Sequence, residues 1–185
     1  ACLIKDNLGW LELAPVRPWQ GFTAKTPRDF SSATFWLVAG SIVPQSKIRM
    51  HDVGLNPTRA GALDALKRMG ASIDVTEDTG SGSDWEPTGT LTASTAPLKG
   101  IRIAGQLALR CIDEIPILAI AAAFGRGATE FRDVGELRHK ESDRIHMVVD
   151  GLRQMGIDVV EFDDGLRVVG GRPSRSCVID CKDDH

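Results

Sequence analysis

Leu152-Arg153-Gln154-Met155-Gly156 repeats Leu66-Lys67-Arg68-Met69-Gly70 almost residue for residue. Upstream, Asp133-Val134-Gly135 repeats Asp52-Val53-Gly54. The offset is 81 residues from Asp52 to Asp133 and 86 from Leu66 to Leu152, so the second copy carries five extra residues between Gly135 and Leu152. A unit this long is not a solenoid repeat. Each copy reads as a strand, a helix stopped by glycine, and a further strand.

Outward from these anchors the pattern continues. Phe22–Thr26 is expected to be a strand. Ser32–Ile42 reads as a buried helix with Asp29 or Ser31 as N-cap. Lys47–Val53 alternates as a strand. Thr58 or Arg59 opens the helix that Gly70 ends, and Ser72–Thr76 is the next strand. Thr79–Pro97, rich in Gly, Ser, Thr and Pro, reads as hairpin or loop rather than linker. In the second copy, Glu114–Phe124 is an apolar helix and Ala128–Val134 a strand. Lys140–Met155 is a helix. Asp158–Phe162 and Gly165–Val169 form a hairpin about Asp163-Asp164-Gly165. The expectation is an α/β fold made of a βαβαββ unit used twice, at about 22–100 and 101–172, with a third begun at 173–185. Segment 1–21, with Trp10, Pro15, Pro18 and Trp19, has no clear place.

The five extra residues fall around Glu136-Leu137-Arg138-His139-Lys140-Glu141-Ser142-Asp143-Arg144-Ile145. Charge crowds Lys140 to Arg144, then Ile145, Met147, Val148, Val149 and Leu152 follow at helical spacing. On such a helix Lys140 and Arg144 share a face, which costs a few tenths of a kcal/mol. They would also sit at the positive end of the dipole. An anion in front of them would resolve both penalties; a plain solvated face would give the same charges. Asp29, Asp113 and Asp184 each precede an apolar helix or its expected start. They suit either a shared polar rim or ordinary N-capping.

With 42% hydrophobic and 25% charged residues and a net charge of −3, the chain has soluble globular composition and no basic excess for nucleic acid. The longest apolar run, Ile115–Phe124, is too short to span a membrane, and no signal peptide precedes the fold. Both ends read as cut. Four cysteines without a disulfide framework fit a reducing, cytoplasmic or plastid-like compartment. Cys177, Cys181 and His185 do not converge on a strand as zinc ligands would need to. Cys111 reads as a buried thiol rather than a nucleophile. His51 and His146 read as surface or satisfied histidines. Gly125-Arg126-Gly127 is a turn, not a phosphate loop.

Asn56-Pro57-Thr58-Arg59, Ile112-Asp113-Glu114-Ile115-Pro116-Ile117-Leu118-Ala119 and Glu136 to Ile145 resemble the 5-enolpyruvylshikimate-3-phosphate (EPSP) synthase family in order and spacing. The likeness runs from about Pro27 to His185, and Asp184-His185 is similar to the start of the family's Asp-His-Arg motif. The resemblance implies an enolpyruvyl transferase-like, inside-out α/β barrel domain of three βαβαββ units, with the third incomplete in this chain. It implies transfer of the carboxyvinyl group of phosphoenolpyruvate to the 5-hydroxyl of shikimate 3-phosphate, with release of phosphate and without metal or organic cofactor. Asp113 matches the carboxylate that contacts the shikimate hydroxyls and is proposed as general base. Glu141 matches the carboxylate proposed to exchange a proton with the phosphoenolpyruvate methylene. Lys140 matches a lysine near shikimate 3-phosphate, and Arg144 an arginine on phosphoenolpyruvate.

Two residues depart from the family pattern: Arg28 stands where glycine is usual, and His139 where a small apolar residue is usual. The family's N-terminal lysine, several phosphate-binding arginines and shikimate-binding serines belong to parts that this chain does not contain. The expectation is a chain inactive alone, with a homodimer covering its open apolar surface. Two alternatives are a domain like UDP-N-acetylglucosamine carboxyvinyltransferase, and a non-catalytic binding or folding module.

Overall fold

The computed structural model describes residues 21, 23–78, 86–182 and 184. The unplaced segment 1–21 lies outside them except for Gly21. Residues 23–27 are irregular, so the strand expected at Phe22–Thr26 does not form there; pairing starts at Arg28, which bridges Val53 in parallel.

The first copy continues with α1 (Phe30–Ile42), β1 (Lys47–Gly54), α2 (Gly61–Arg68), β2 (Ser72–Glu77) and β3 (Thr88–Ser94). Asp29 caps α1, accepting from the Ser32 amide at 2.7 Å. Phe30, Ala33, Leu37 and Val38 face the core, and Gly40 lets the helix lie on β3, since a Cβ would stand 2.9 Å from that of Ala93. The helix is not buried all round: Phe35 and Trp36 are 58% and 59% exposed. The strands order as β1-β3-β2, antiparallel throughout. The tract read as hairpin or loop thus contains the central strand. Its Thr88, Thr90 and Thr92 are β-branched, and Gly89, Leu91 and Ala93 point inward.

The second copy runs through β4 (Arg102–Ile103), α3 (Gln106–Leu109), a 3₁₀ turn at Ile112–Glu114, α4 (Ile115–Ala123) and β5 (Ala128–Phe131). A second 3₁₀ turn at Gly135–His139, α5 (Arg144–Gln154), β6 (Asp158–Phe162) and β7 (Gly165–Val169) complete it. The sheet orders as β4-β5-β7-β6, with β4 parallel to β5 and the other pairs antiparallel. This is the order of the first copy, with β4 in the place of Arg28.

The repeated tripeptides mark a shared backbone device. Asp52 and Asp133 both take positive φ, 57° and 62°. Aspartate tolerates this region better than most residues. Asp52 sits at a register shift in β1; Asp133 ends β5, which is why that strand stops before Val134. The glycine stops repeat too. Gly70 and Gly156 have φ of 93° and 80°. The amide beyond each reaches back to a helical carbonyl, Ala71 to Leu66 at 2.9 Å and Ile157 to Leu152 at 3.0 Å. The helices they close differ: α2 has 8 residues and α5 has 11. That accounts for three of the five extra residues, and the longer approach to α5 takes the other two.

One apolar core joins both copies. Leu37, Leu66 and Leu91 of the first and Leu118, Phe131, Leu152 and Leu166 of the second are fully buried. Each such side chain contributes about 1.5–3 kcal/mol. The described residues after Val169 form no helix or strand, and no helix among the described residues is long and apolar enough to cross a membrane.

Two substitutions test this packing. A Cβ on Gly165 would overlap the Phe131 carbonyl oxygen across the β5–β7 pair. Gly165→Ala is therefore expected to cost about 1–3 kcal/mol in denaturant unfolding. Thr129 is buried on β5 and its hydroxyl has no hydrogen-bond partner among the described residues. Thr129→Val is expected to keep or raise the melting temperature, because a buried unpaired hydroxyl costs about 1–3 kcal/mol; a clear fall would reveal a partner for it.

Candidate active site

The segment from Gly135 to Arg144 is pinned from behind by Arg138. Its guanidinium donates to Asp143 at 2.7 Å, to Glu161 at 3.0 Å, and to the carbonyls of Asp163 and Phe162 at 2.8 and 2.7 Å. Burial works against the charge of Arg138, but the Asp143 and Glu161 carboxylates outweigh it and hold the guanidinium above its usual value. The turn is thereby fixed to the β6–β7 hairpin. The sequence offered no signal for this, since Glu161 and the hairpin carbonyls are brought near only by the fold.

From that anchor the chain extends at Lys140 (φ −80°, ψ −160°) and re-enters helix at Arg144, with Asp143 as N-cap to the His146 amide at 3.0 Å. This corrects the expectation of a helix from Lys140. An aspartate accepting the first free amides and an extended Lys140 start α5 four residues later. Lys140 and Arg144 therefore share no helical face. They meet at Asp113 from separate elements: Lys140 Nζ lies 3.7 Å and Arg144 Nη1 4.0 Å from its Oδ1.

Asp113 sits on the 3₁₀ turn that leads into α4, where Pro116 suits the first helical turn. Arg144 is the centre of the cluster. It donates to Glu141 at 2.8 Å and grips Asp184 bidentately along one edge, Nε to Oδ2 at 3.0 Å and Nη2 to Oδ1 at 2.9 Å. Ser142 also donates to Asp184, at 2.5 Å. The Asp184 hydrogen bonds raise the Arg144 value further above that of a free arginine. Lys140 has Glu136 at 3.7 Å as a second partner.

Asp113, Glu141, Lys140 and Arg144 are therefore all brought together, with Asp184 added. The two acids are about half exposed, 48% and 51%, so the cluster is open and not a set of closed buried pairs. Asp29 is apart: it caps α1 and stands 4.0 Å from Arg59. Of the three acids that the repeat aligns, Asp113 and Asp184 join the cluster and Asp29 caps α1.

Beside the cluster lies a cavity of about 350 Å³ between α4 and α5, walled by Ile117, Ile120, Met147 and Val148, with Asp113, Arg144 and Asp184 at its polar end. Among the described residues no group of three or more His, Cys, Asp or Glu could hold a metal; His185 lies outside them. Cys111 is fully buried and its thiol donates to the Leu107 carbonyl at 2.9 Å. Burial, helped by the Glu114 charge, pushes that thiol up to about 12, which removes it as a nucleophile.

A parallel-entered βαβαββ unit used twice, with acids and cations gathered at the starts of its helices, defines an enolpyruvyl transferase-type α/β protein. The family model for EPSP synthase (3-phosphoshikimate 1-carboxyvinyltransferase) matches residues 8–185, and the chain belongs to that family. It is 49% identical over 165 residues to the 3-phosphoshikimate 1-carboxyvinyltransferase of Synechococcus sp. (strain JA-3-3Ab), covering 89% of this chain and 37% of that protein. To the Thermotoga sp. (strain RQ2) enzyme of the same name it is 41% identical over 170 residues, covering 90% and 39%. The solved EPSP synthase of Acinetobacter baumannii matches with a TM-score of 0.73 at 40% identity, over 78% of this chain and 32% of that one. The enolpyruvyl transferase NikO of Streptomyces tendae matches with a TM-score of 0.57 at 23% identity, a likeness of fold. The chain spans a little over a third of the length of the curated relatives it matches.

Two measurements check this chemistry. Alkylation at mildly alkaline pH is expected to label the exposed Cys177 and Cys181 and spare Cys111 until the protein unfolds, read by peptide mass. The second concerns Glu114, which is 5% exposed. Burial pushes its carboxyl above the ordinary 4.5; the Ser31 hydrogen bond opposes this and neighbouring Asp113 adds to it. The folded value exceeds the unfolded one. Stability linked to Glu114 is thus complete below pH 4.5 and is lost as pH rises through the folded value. Denaturant unfolding of Glu114→Gln is expected to lack that decline; an equal decline would assign it to another group.

Proposed function

We propose that this chain supplies one wall of a site that transfers the carboxyvinyl group of phosphoenolpyruvate to the 5-hydroxyl of shikimate 3-phosphate. The observation that carries the reading is the convergence of two acids and two cations, from two separate stretches of the chain, beside an open cavity that Asp113 and Arg144 line. Asp113 takes the proton from the attacking hydroxyl as its oxygen bonds to the central carbon of phosphoenolpyruvate. Glu141 gives a proton to the methylene carbon. The resulting adduct carries its phosphate on the former alkene carbon. Loss of that phosphate, and return of a methyl proton to Glu141, restores the double bond. The two carboxyls work in opposite directions, and general acid–base catalysis requires such a division of roles. Lys140 faces the shikimate 3-phosphate side and Arg144 the phosphoenolpyruvate carboxylate.

Arg144 already holds a carboxylate bidentately in this structure, that of Asp184. That is the planar fork-to-fork contact that suits arginine better than lysine. The scheme needs no metal or organic cofactor, and its partners are the two small anions, not nucleic acid or a membrane. The same proposal takes residues 22–185 as part of one domain, with units at about 22–100 and 101–172 and a third begun at 173, in a cytoplasmic protein.

The isolated chain is expected to give no turnover, because the remaining cations of the family's site lie outside it. The test is a chimera in which this chain replaces the matching stretch of the full-length Synechococcus relative. Phosphate release dependent on both substrates is expected. Asp113→Asn and Glu141→Gln are each expected to lower kcat by about 10²-fold or more. A folded chimera that binds shikimate 3-phosphate without turnover would favour the non-catalytic module instead; turnover of a nucleotide sugar in its place would favour the related transferase. Phe35 and Trp36 leave apolar surface on α1, so a homodimer of the isolated chain belongs to the proposal. A strictly monomeric light-scattering mass would remove it.

A further inference from the structure

Glu114 stands one residue from Asp113, and the scheme above gives it nothing to do. It is nearly fully buried, which carboxylates avoid unless they are paired. Among the described residues no cation lies within 4.0 Å of it. Its partner is a hydroxyl: Ser31 on the first turn of α1 donates to Glu114 Oε1 at 2.5 Å. Behind Ser31, Arg59 Nη2 donates to the same hydroxyl at 3.4 Å and lies 4.0 Å from Asp29. One chain of contacts thus runs from the turn after β1, through the start of α1, to the 3₁₀ turn of the second copy. On such a turn, with three residues per revolution, neighbours point about 120° apart. Glu114 is turned inward, and Asp113 is left half exposed toward Lys140 and Arg144.

We infer that Glu114 is a positioning residue: held by Ser31, it locks the Ile112–Glu114 turn so that Asp113 is presented to Lys140 and Arg144. The inference rests on the reading of Asp113 as the base. Glu114 serves as a hydrogen-bond acceptor and not as a charge or a proton relay. Glutamine offers the same acceptor at the same reach; alanine offers none. The wider consequence is that the first copy, through Ser31 and Arg59, sets the geometry of an acid that belongs to the second.

The experiment uses the full-length chimera for kinetics and this chain for amide exchange. Glu114→Ala is expected to lower kcat about tenfold to a hundredfold with KM for phosphoenolpyruvate changed by about twofold or less, since a small misplacement of a reacting group acts mainly on the chemical step. It is expected to speed exchange at Ser31–Ala33 and at the Ile112–Glu114 turn together. Glu114→Gln is expected to keep kcat within about threefold and leave exchange unchanged. Should Glu114→Ala not fold, Ser31→Ala removes only the donor and carries the same expectations. A loss in Glu114→Gln equal to that in Glu114→Ala would overturn the inference in favour of a charge or proton role. Unchanged kcat in Glu114→Ala, with Asp113→Asn inactive, would overturn it and leave the base assignment standing. Retained turnover in Asp113→Asn would sink the base assignment itself.

Discussion

Helices α1 and α4 lie side by side at the centre of the shared core, and most of the molecule follows from that contact. α1 is mostly apolar and α4 wholly so, and apolar helices need cover on more than one side. Each gives one face to the sheet of its own copy and another to its partner helix. The flanks that remain are the open side of α1, at Phe35 and Trp36, and the α4 wall of the cavity. Each helix has acid just before its first turn, Asp29 before α1 and Asp113-Glu114 before α4, so packing the helices together also brings polar starts together. The rim is a by-product of burying the helices, and Ser31 on one start can then reach Glu114 on the other.

The charged turn before α5 is held by a different kind of force. Arg138 spends its donors on two carboxylates and two carbonyls, none of which belongs to the cavity. Hydrogen bonds to a charged group contribute about 1.5–3 kcal/mol each, against about 0–1 for an exposed ion pair. The Arg138 contacts therefore outweigh the looser ones at 3.7–4.0 Å among Lys140, Asp113 and Arg144. The backbone around the site is fixed by Arg138, while Lys140, with its contacts to Asp113 and Glu136 at 3.7 Å, remains able to exchange partners.

The duplication was legible because it is written in residues with backbone meaning: aspartates in the left-handed region and glycines past helix ends. Those constraints are local, so identical letters at Asp52 and Asp133, or Gly70 and Gly156, imply identical geometry. The core of the cluster was legible for a related reason, since Lys140, Glu141 and Arg144 are neighbours in sequence and only Asp113 and Asp184 must be brought from elsewhere. Three things were not legible. Apart from Leu91, strand β3 is built from Thr, Gly, Ser and Ala, which serve turns and strands alike, and only pairing with β1 and β2 decides between them. The start of α5 was misplaced because periodicity of apolar residues says nothing of where the first turn begins. The Asp143 cap decides that, and an acid in a charged run is easily taken for surface. The anchoring roles of Arg138 and Glu114 rest on partners far away in the chain and had no local signature.

The balance of charge in the cluster explains what it can and cannot hold. Arg144 opens α5, where the helix dipole disfavours a cation by about 0.3–1 kcal/mol. Charge-assisted bonds to Glu141 and Asp184 exceed that several times over. The arginine is therefore stable at its unfavourable end because acids surround it. The same acids leave little positive field for a ligand: among the described residues, Asp113, Glu136, Glu141 and Asp184 are set against Lys140 and Arg144. A phosphorylated carboxylic acid entering here must take Arg144 from Asp184 and bring further negative charge to a cluster already rich in it. Without additional cations on the facing side, the repulsion from four carboxylates cancels the gain from two bases. Further lysines and arginines across the cavity would reverse that balance by setting more positive charge against the same four carboxylates.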